Sequence, residues 1–113
     1  MIKGLERGDV VVFDLDPVLG HEQGRERPCV VLSGRDFNDL GRLLIIAPIT
    51  SKVRGYFFEV PFQVGRLSGV VLVDQIRSID QRARQVTRYM PKARIPYPAL
   101  MEVQSLVDAL LFR

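Results

Sequence analysis

The chain has 113 residues, 47% hydrophobic and 26% charged, which suits one globular domain (1–113) that buries its own core without disulfides or a structural metal. Its net charge is +3, and all but Lys3, Lys52 and Lys92 of its 16 basic residues are arginine. That points to an anionic partner, although a GC-rich genome would enrich arginine equally. The longest apolar run, Leu43 to Ala47, is too short to cross a bilayer, and the start of the chain lacks the apolar stretch of a signal peptide. With Cys29 as the sole thiol, and inside an apolar run, a reducing cytoplasm is the expected setting and a buried structural role is expected for the thiol.

Arg7-Gly8-Asp9 reads as a turn that launches a first strand from Val10 to Leu15. Asp16-Pro17 breaks it, and Gly20 and Gly24 keep the following loop irregular. A second strand is expected from Pro28 to Leu32, then a short helical turn from Asp36 to Leu40 ended by Gly41. Leu43 to Ile49 reads as a buried strand interrupted near Pro48. Two further strands are expected at Tyr56 to Val60 and Val70 to Ile79, and a short last one at Arg84 to Met90. The 70–79 stretch alternates from fully apolar to mixed, as a strand leaving the core for a site would. The period then changes: Leu100, Val103, Leu106, Val107, Leu110 and Leu111 recur at helical spacing, with Pro98 in the first turn. Five or six short antiparallel strands and one amphipathic helix predict a small barrel or sandwich, the helix laid on the barrel or on a partner.

No HExxH or CxxC spacing, Walker loop, GxGxxG or GxSxG elbow occurs, so no metal site and no cofactor is expected. The richest polar segment is Gly20-His21-Glu22-Gln23-Gly24-Arg25-Glu26-Arg27-Pro28, held between two apolar runs. Rigid strands flanking a polar loop make a site for phosphate, and equally a solvated hairpin loop. Glu, Arg and Thr suffice for RNA transesterification, because RNA carries its own nucleophile in the 2′-hydroxyl. In that reading Glu22 is the base, Arg27 holds the phosphorane charge through bidentate contacts, and Thr50 hydrogen-bonds the phosphate or orients an arginine. The plainer alternatives are a surface Glu22–Arg27 ion pair and a Thr50 that caps a turn with Ser51. Arg77, Arg82, Arg84, Arg88, Lys92 and Arg94, with Tyr89 among them, form either a track for single-stranded RNA or a solvated face. Asp74-Gln75 follows the four apolar residues Val70 to Val73, and Gln75 is placed to point into a groove.

Taken together, Arg7-Gly8-Asp9-Val10, Asp16-Pro17, Gly20-x-Glu22-Gln23-x-x-x-Arg27-Pro28, Ala47-Pro48-Ile49-Thr50, Gly55-Tyr56 with Glu59-Val60, and Gly69 to Asp80 resemble the MazF/PemK/Kid family of toxin endoribonucleases over nearly the full length. The resemblance implies an SH3-like, strongly curled antiparallel β-barrel with a C-terminal helix, acting as a homodimer. It implies sequence-specific, metal-independent cleavage of single-stranded mRNA to a 2′,3′-cyclic phosphate and a 5′-hydroxyl. It also implies a cognate, MazE-like antitoxin whose acidic disordered segment covers the RNA groove. By position, Arg27 and Thr50 match the catalytic pair, Glu22 the acidic residue of the same loop, and Gln75 a substrate contact. His21, Gln23, Arg25, Arg77 and Arg84 are the remaining expected substrate-binding residues. His21 stands where relatives often carry Ser, and Arg25 and Glu26 charge a loop that sets base specificity in the family. The alternatives are a CcdB-type gyrase-binding toxin on the same barrel, or an inactive scaffold that only pairs with an antitoxin.

Overall fold

The computed structural model describes residues 2–14, 26–89 and 92–113. The order is β1 (Val10–Asp14), β2 (Glu26–Val31), α1 (Arg35–Leu40), β3 (Leu43–Thr50), β4 (Glu59–Val64), β5 (Leu67–Leu72), a 3₁₀ turn (Val73–Gln75), β6 (Arg77–Asp80), α2 (Gln81–Arg84), β7 (Thr87–Arg88) and α3 (Tyr97–Phe112). Every pairing is antiparallel, and the strands follow one another as β4-β5-β3-β2-β1-β7, with β6 also on β3. The mainly-β fold with a C-terminal helix is therefore the expected one. Its described strands form a curled, barrel-like sheet rather than a closed ladder.

The apolar runs make buried strands because both faces of the sheet are covered. Val10, Val30, Ala47, Ile49, Val60 and Val71 face one core, which α3 closes with Ala99, Leu100 and Val103. Val11, Phe13, Cys29, Val31, Leu44 and Ile46 face a second core with Leu5, Ile79 and Val86. Successive residues in a strand point to opposite faces, so a strand buried on both sides reads as a continuous apolar run. Pro48 does not interrupt β3, which runs through it opposite Cys29.

Three expected elements differ. The strand expected over Val70 to Ile79 is two strands joined by a 3₁₀ turn. Ile49 pairs with Val71 while Ile46 pairs with Arg77, so three steps along β3 match six from β5 into β6. The excess residues leave the ladder as the Val73–Gln75 turn, and the strand bends there, as an inserted bulge does. The strand expected at Tyr56 to Val60 begins only at Glu59 and continues to Val64, forming a hairpin with β5. Val64 pairs with Leu67, leaving a two-residue turn in which Gly65 has φ 57°, the positive value tight hairpins need. The strand expected at Arg84 to Met90 is the end of α2 and the two residues of β7, separated at Gln85, which is left-handed. Helix formation there is favoured by Asp80, whose carboxylate accepts the Arg82 N–H at 2.9 Å.

Among the described residues the buried polar side chains find partners, often far apart in sequence, with Gln81 Nε2 the exception. Asn38 of α1 is fully buried and donates from Nδ2 to the carbonyls of Leu5 (2.8 Å) and Ser33 (3.1 Å). Asp9 is buried at the mouth of the first turn, where it accepts the Glu6 N–H (2.9 Å) and pairs with Arg88 (3.2 Å) and Arg94. This ties the start of β1 to β7 and to the segment leading into α3. Among the arginines read as a possible RNA track, Arg88 and Arg94 are therefore committed to a structural carboxylate.

Candidate active-site cleft

The β2–β3 register is Cys29 opposite Pro48, Val30 opposite Ala47 and Val31 opposite Ile46. Continued two residues outward, it sets Arg27 across from Thr50. The two side chains line one cleft of about 570 Å³, with Pro28, Ser51, Ser68 and Tyr89 also on its walls. Arg27 is exposed on β2, and among the described residues no carboxylate pairs with it. The surface ion pair weighed for Arg27 would involve Glu22, which lies outside the described residues, as do His21, Gln23 and Arg25.

Thr50 ends β3, and its hydroxyl oxygen accepts the backbone N–H of Lys52 at 3.1 Å. The turn-capping alternative is thus realised through Lys52, and it does not compete with a ligand. A hydroxyl that accepts from the backbone still has its own proton to donate. The backbone at Thr50 is held from the other side by β5, through the pair Thr50 opposite Val70. An added Cβ at Gly69 would stand 2.3 Å from the Thr50 carbonyl oxygen, so only glycine lets β5 approach this closely.

Thr50 also borders a second hollow of about 250 Å³, shared with Lys52, Arg54, Tyr56 and Gln75. Gln75 reaches it because the three excess residues of the 3₁₀ turn swing outward beside the end of β3. The loop 51–58 forms the opposite wall without regular structure of its own. Its anchor is Glu59, a buried carboxylate that accepts the N–H groups of Arg54 (3.1 Å) and Gly55 (2.9 Å). Sequence reasoning missed this role for Glu59, since a lone carboxylate at a strand start gives no local sign of the backbone it will bind.

Arg77 begins β6 opposite Ile46 and is exposed. Its charge and that of Arg27 both act on the Cys29 thiol. Burial dominates at that thiol and pushes it up to about 12, against the pull of Arg77 and then Arg27. Cys29 is accordingly an inert core residue. Arg84 closes α2, half-buried, and lines neither hollow.

The family described as PemK-like, MazF-like toxin of type II toxin-antitoxin system matches residues 6–111. The endoribonuclease toxin ChpB of Escherichia coli (strain K12) is 38% identical over 110 residues, covering 91% of this chain and 94% of that protein. The endoribonuclease toxin MazF of the same strain is 34% identical over 106 residues, covering 94% and 93%. Among solved structures, a MazE–MazF complex (Form-II) from Deinococcus radiodurans superposes with a TM-score of 0.83 at 38% identity, covering 95% of each chain. MazF (Form-I) from the same organism gives 0.81 at 37% identity, covering 96% and 97%. With its curled, mainly-β fold and nearly its whole length in common with these proteins, the chain belongs to the PemK-like, MazF-like family of type II toxin-antitoxin toxins.

Proposed function

We propose that this protein is a sequence-specific, metal-independent endoribonuclease toxin that cuts single-stranded mRNA by transesterification. The observation that carries the reading is the common cleft of Arg27 and Thr50. A scissile phosphate seated there accepts two N–H bonds from the guanidinium and one O–H bond from the hydroxyl. Glu22 takes the proton of the neighbouring 2′-hydroxyl. The 2′-oxygen then attacks phosphorus, the bond to the 5′-oxygen breaks, and that oxygen takes up a proton from solvent water, leaving a 2′,3′-cyclic phosphate and a 5′-hydroxyl. Donors aimed at the charge that develops on the phosphorane stabilise the transition state more than the ground state. Gln75 and Arg77, with His21, Gln23 and Arg25, hold the strand on either side; Arg84, which lines neither hollow, has no contact with it in this reading. ChpB and MazF of Escherichia coli, named endoribonuclease toxins, support the reaction class.

The same reading pairs the toxin with a MazE-like antitoxin, since its solved neighbours include MazE–MazF complexes, and an acidic segment complements a net charge of +3. It also makes the toxin a homodimer. Leu111 and Phe112 are exposed at the end of α3, and a hollow of about 450 Å³ runs beside them past Leu32, Ile45 and Ile76. An apolar patch of this kind suits a second copy. No helix among the described residues is long and apolar enough to cross a membrane, and an mRNA substrate places the enzyme in the cytoplasm.

The test is cleavage of a long mixed-sequence RNA in EDTA, with the cut ends mapped. Wild type is expected to cut at a preferred sequence and leave 2′,3′-cyclic phosphate ends. Arg27→Ala and Thr50→Ala are each expected to lose about 10²–10³-fold in rate while keeping a native circular dichroism spectrum. Undiminished cutting by both folded variants would remove the pair from the mechanism. Intact RNA together with inhibited DNA supercoiling would replace this function with gyrase poisoning.

A further inference from the structure

Tyr89 is the one described aromatic on the cleft that holds Arg27 and Thr50, and the transesterification scheme leaves it without a role. Its backbone is fixed from two sides. The Tyr89 N–H donates to the Val10 carbonyl at 3.0 Å, and the Tyr89 carbonyl accepts the Ala93 N–H at 3.3 Å. The preceding residue, Arg88, is paired with buried Asp9 and lies in β7 opposite Val11. The side chain is half-buried and packs against the core that α3 closes. A ring rooted in this way keeps its orientation before any ligand arrives.

We propose that Tyr89 is the stacking platform for an unpaired nucleobase beside the scissile phosphate, and so a specificity-determining residue of the reaction. The inference rests on the endoribonuclease reading of the cleft. A phosphate at Arg27 and Thr50 carries a nucleoside on each side, and the ring stands on the wall that one of them must pass. A base turned out of a single strand gives up stacking on its neighbours, and an aromatic face restores it. Because the ring is already ordered, little conformational freedom is lost when the base lands. A base inside a duplex cannot reach the ring, so the same residue favours single-stranded substrate.

The experiment uses the full-length protein with two substrates. One is a cleavable mixed-sequence RNA. The other is a single strand of the preferred sequence, 2′-deoxy at the scissile nucleotide and carrying 2-aminopurine at successive positions. For wild type, 2-aminopurine emission is expected to fall sharply at one position next to the scissile bond. Tyr89→Phe is expected to keep that quench and the cut-site preference. Tyr89→Leu is expected to lose the quench, bind about 5–100-fold more weakly, raise KM while kcat stays within about threefold, and relax the preference at that position. Leu40→Ala, exposed beyond the opposite end of β3, is the control expected to match wild type. A wild-type protein that cuts RNA but quenches no position overturns the proposal and leaves the nuclease reading intact. So does a natively melting Tyr89→Leu that binds and cuts like wild type. Quenched, Tyr89-dependent binding without any cutting upholds the platform and overturns the nuclease reading. Neither binding nor cutting overturns both.

Discussion

Replacing Gly69 with alanine tests whether the approach of β5 to Thr50 sets the geometry of the cleft. The new Cβ would lie 2.3 Å from the Thr50 carbonyl oxygen, 3.0 Å from its carbonyl carbon and 3.3 Å from Ser51 Cα. Ordinary contacts begin near ~3.5 Å, so the strands must part by roughly 1 Å, and the atoms in the way are backbone. Overpacking of this kind costs about 1–3 kcal/mol. Gly69 also has φ 153°, a value that strains an L-residue by about a further 1–2 kcal/mol. The variant is expected to lose about 2–5 kcal/mol, which lowers Tm by roughly 10–30 °C in a domain of this size. Below its melting point it should still cut slowly, because a misplacement of about 1 Å in a positioning group reduces rate by roughly 10²-fold. Thermal melts by circular dichroism and single-turnover cleavage well below both midpoints measure the two effects. Gly41→Ala is the matched control, since nothing lies within 4 Å of its added Cβ and its φ is −133°. Wild-type Tm and wild-type cleavage by Gly69→Ala would refute the argument that this contact holds Thr50 in place.

Glu59→Ala removes the acceptor for the Arg54 and Gly55 amides, and is expected to cost about 1–3 kcal/mol and to speed hydrogen exchange at those two amides; Glu59→Gln, which keeps one acceptor oxygen, should fall between. Unchanged exchange at both amides in Glu59→Ala would show that the loop is held otherwise. The Cys29 thiol ionises at about 12 in the fold against 9.0 ordinarily, so the folded state keeps a proton that the unfolded chain releases. Its contribution to stability is complete below pH 9 and declines as pH rises from there toward 12, at up to about 1.4 kcal/mol per unit. Denaturant midpoints of wild type and Cys29→Ala across this range should converge as pH rises. Iodoacetamide at pH 8 should leave the native thiol unmodified and label it once the chain unfolds, and rapid native labelling would contradict its burial.

Local patterns were enough to read β1, β2, β3, α1 and α3, because each announces itself within its own residues. Leu43 to Ile49 is apolar on both faces, and Leu100, Val103 and Val107 recur at helical spacing before any partner is known. The loop 20–28 and Thr50 were legible as candidate chemistry for the same reason: their residue types stand out against apolar neighbours. The hairpin of β4 and β5 was missed because residues 56–58 are aromatic but lie outside the ladder, and the turn rests on a single Gly65-Arg66 pair.

What the chain alone determined was which segments are strands and helix and which residues can carry phosphate chemistry, since side-chain period and residue type are local properties. The tertiary structure decided where Val70 to Ile79 bends, because only β3 shows that three residues are in excess and must leave the ladder. It decided that Arg88 and Arg94 serve Asp9 while Arg27 keeps its charge exposed, because partners far apart in sequence meet only when the sheet curls. It also decided that Arg27 and Thr50 share a cleft with Tyr89, a consequence of register between β2 and β3 and of the fold of β7 onto β1. Register depends on the packing of both faces at once, and no single segment contains that information.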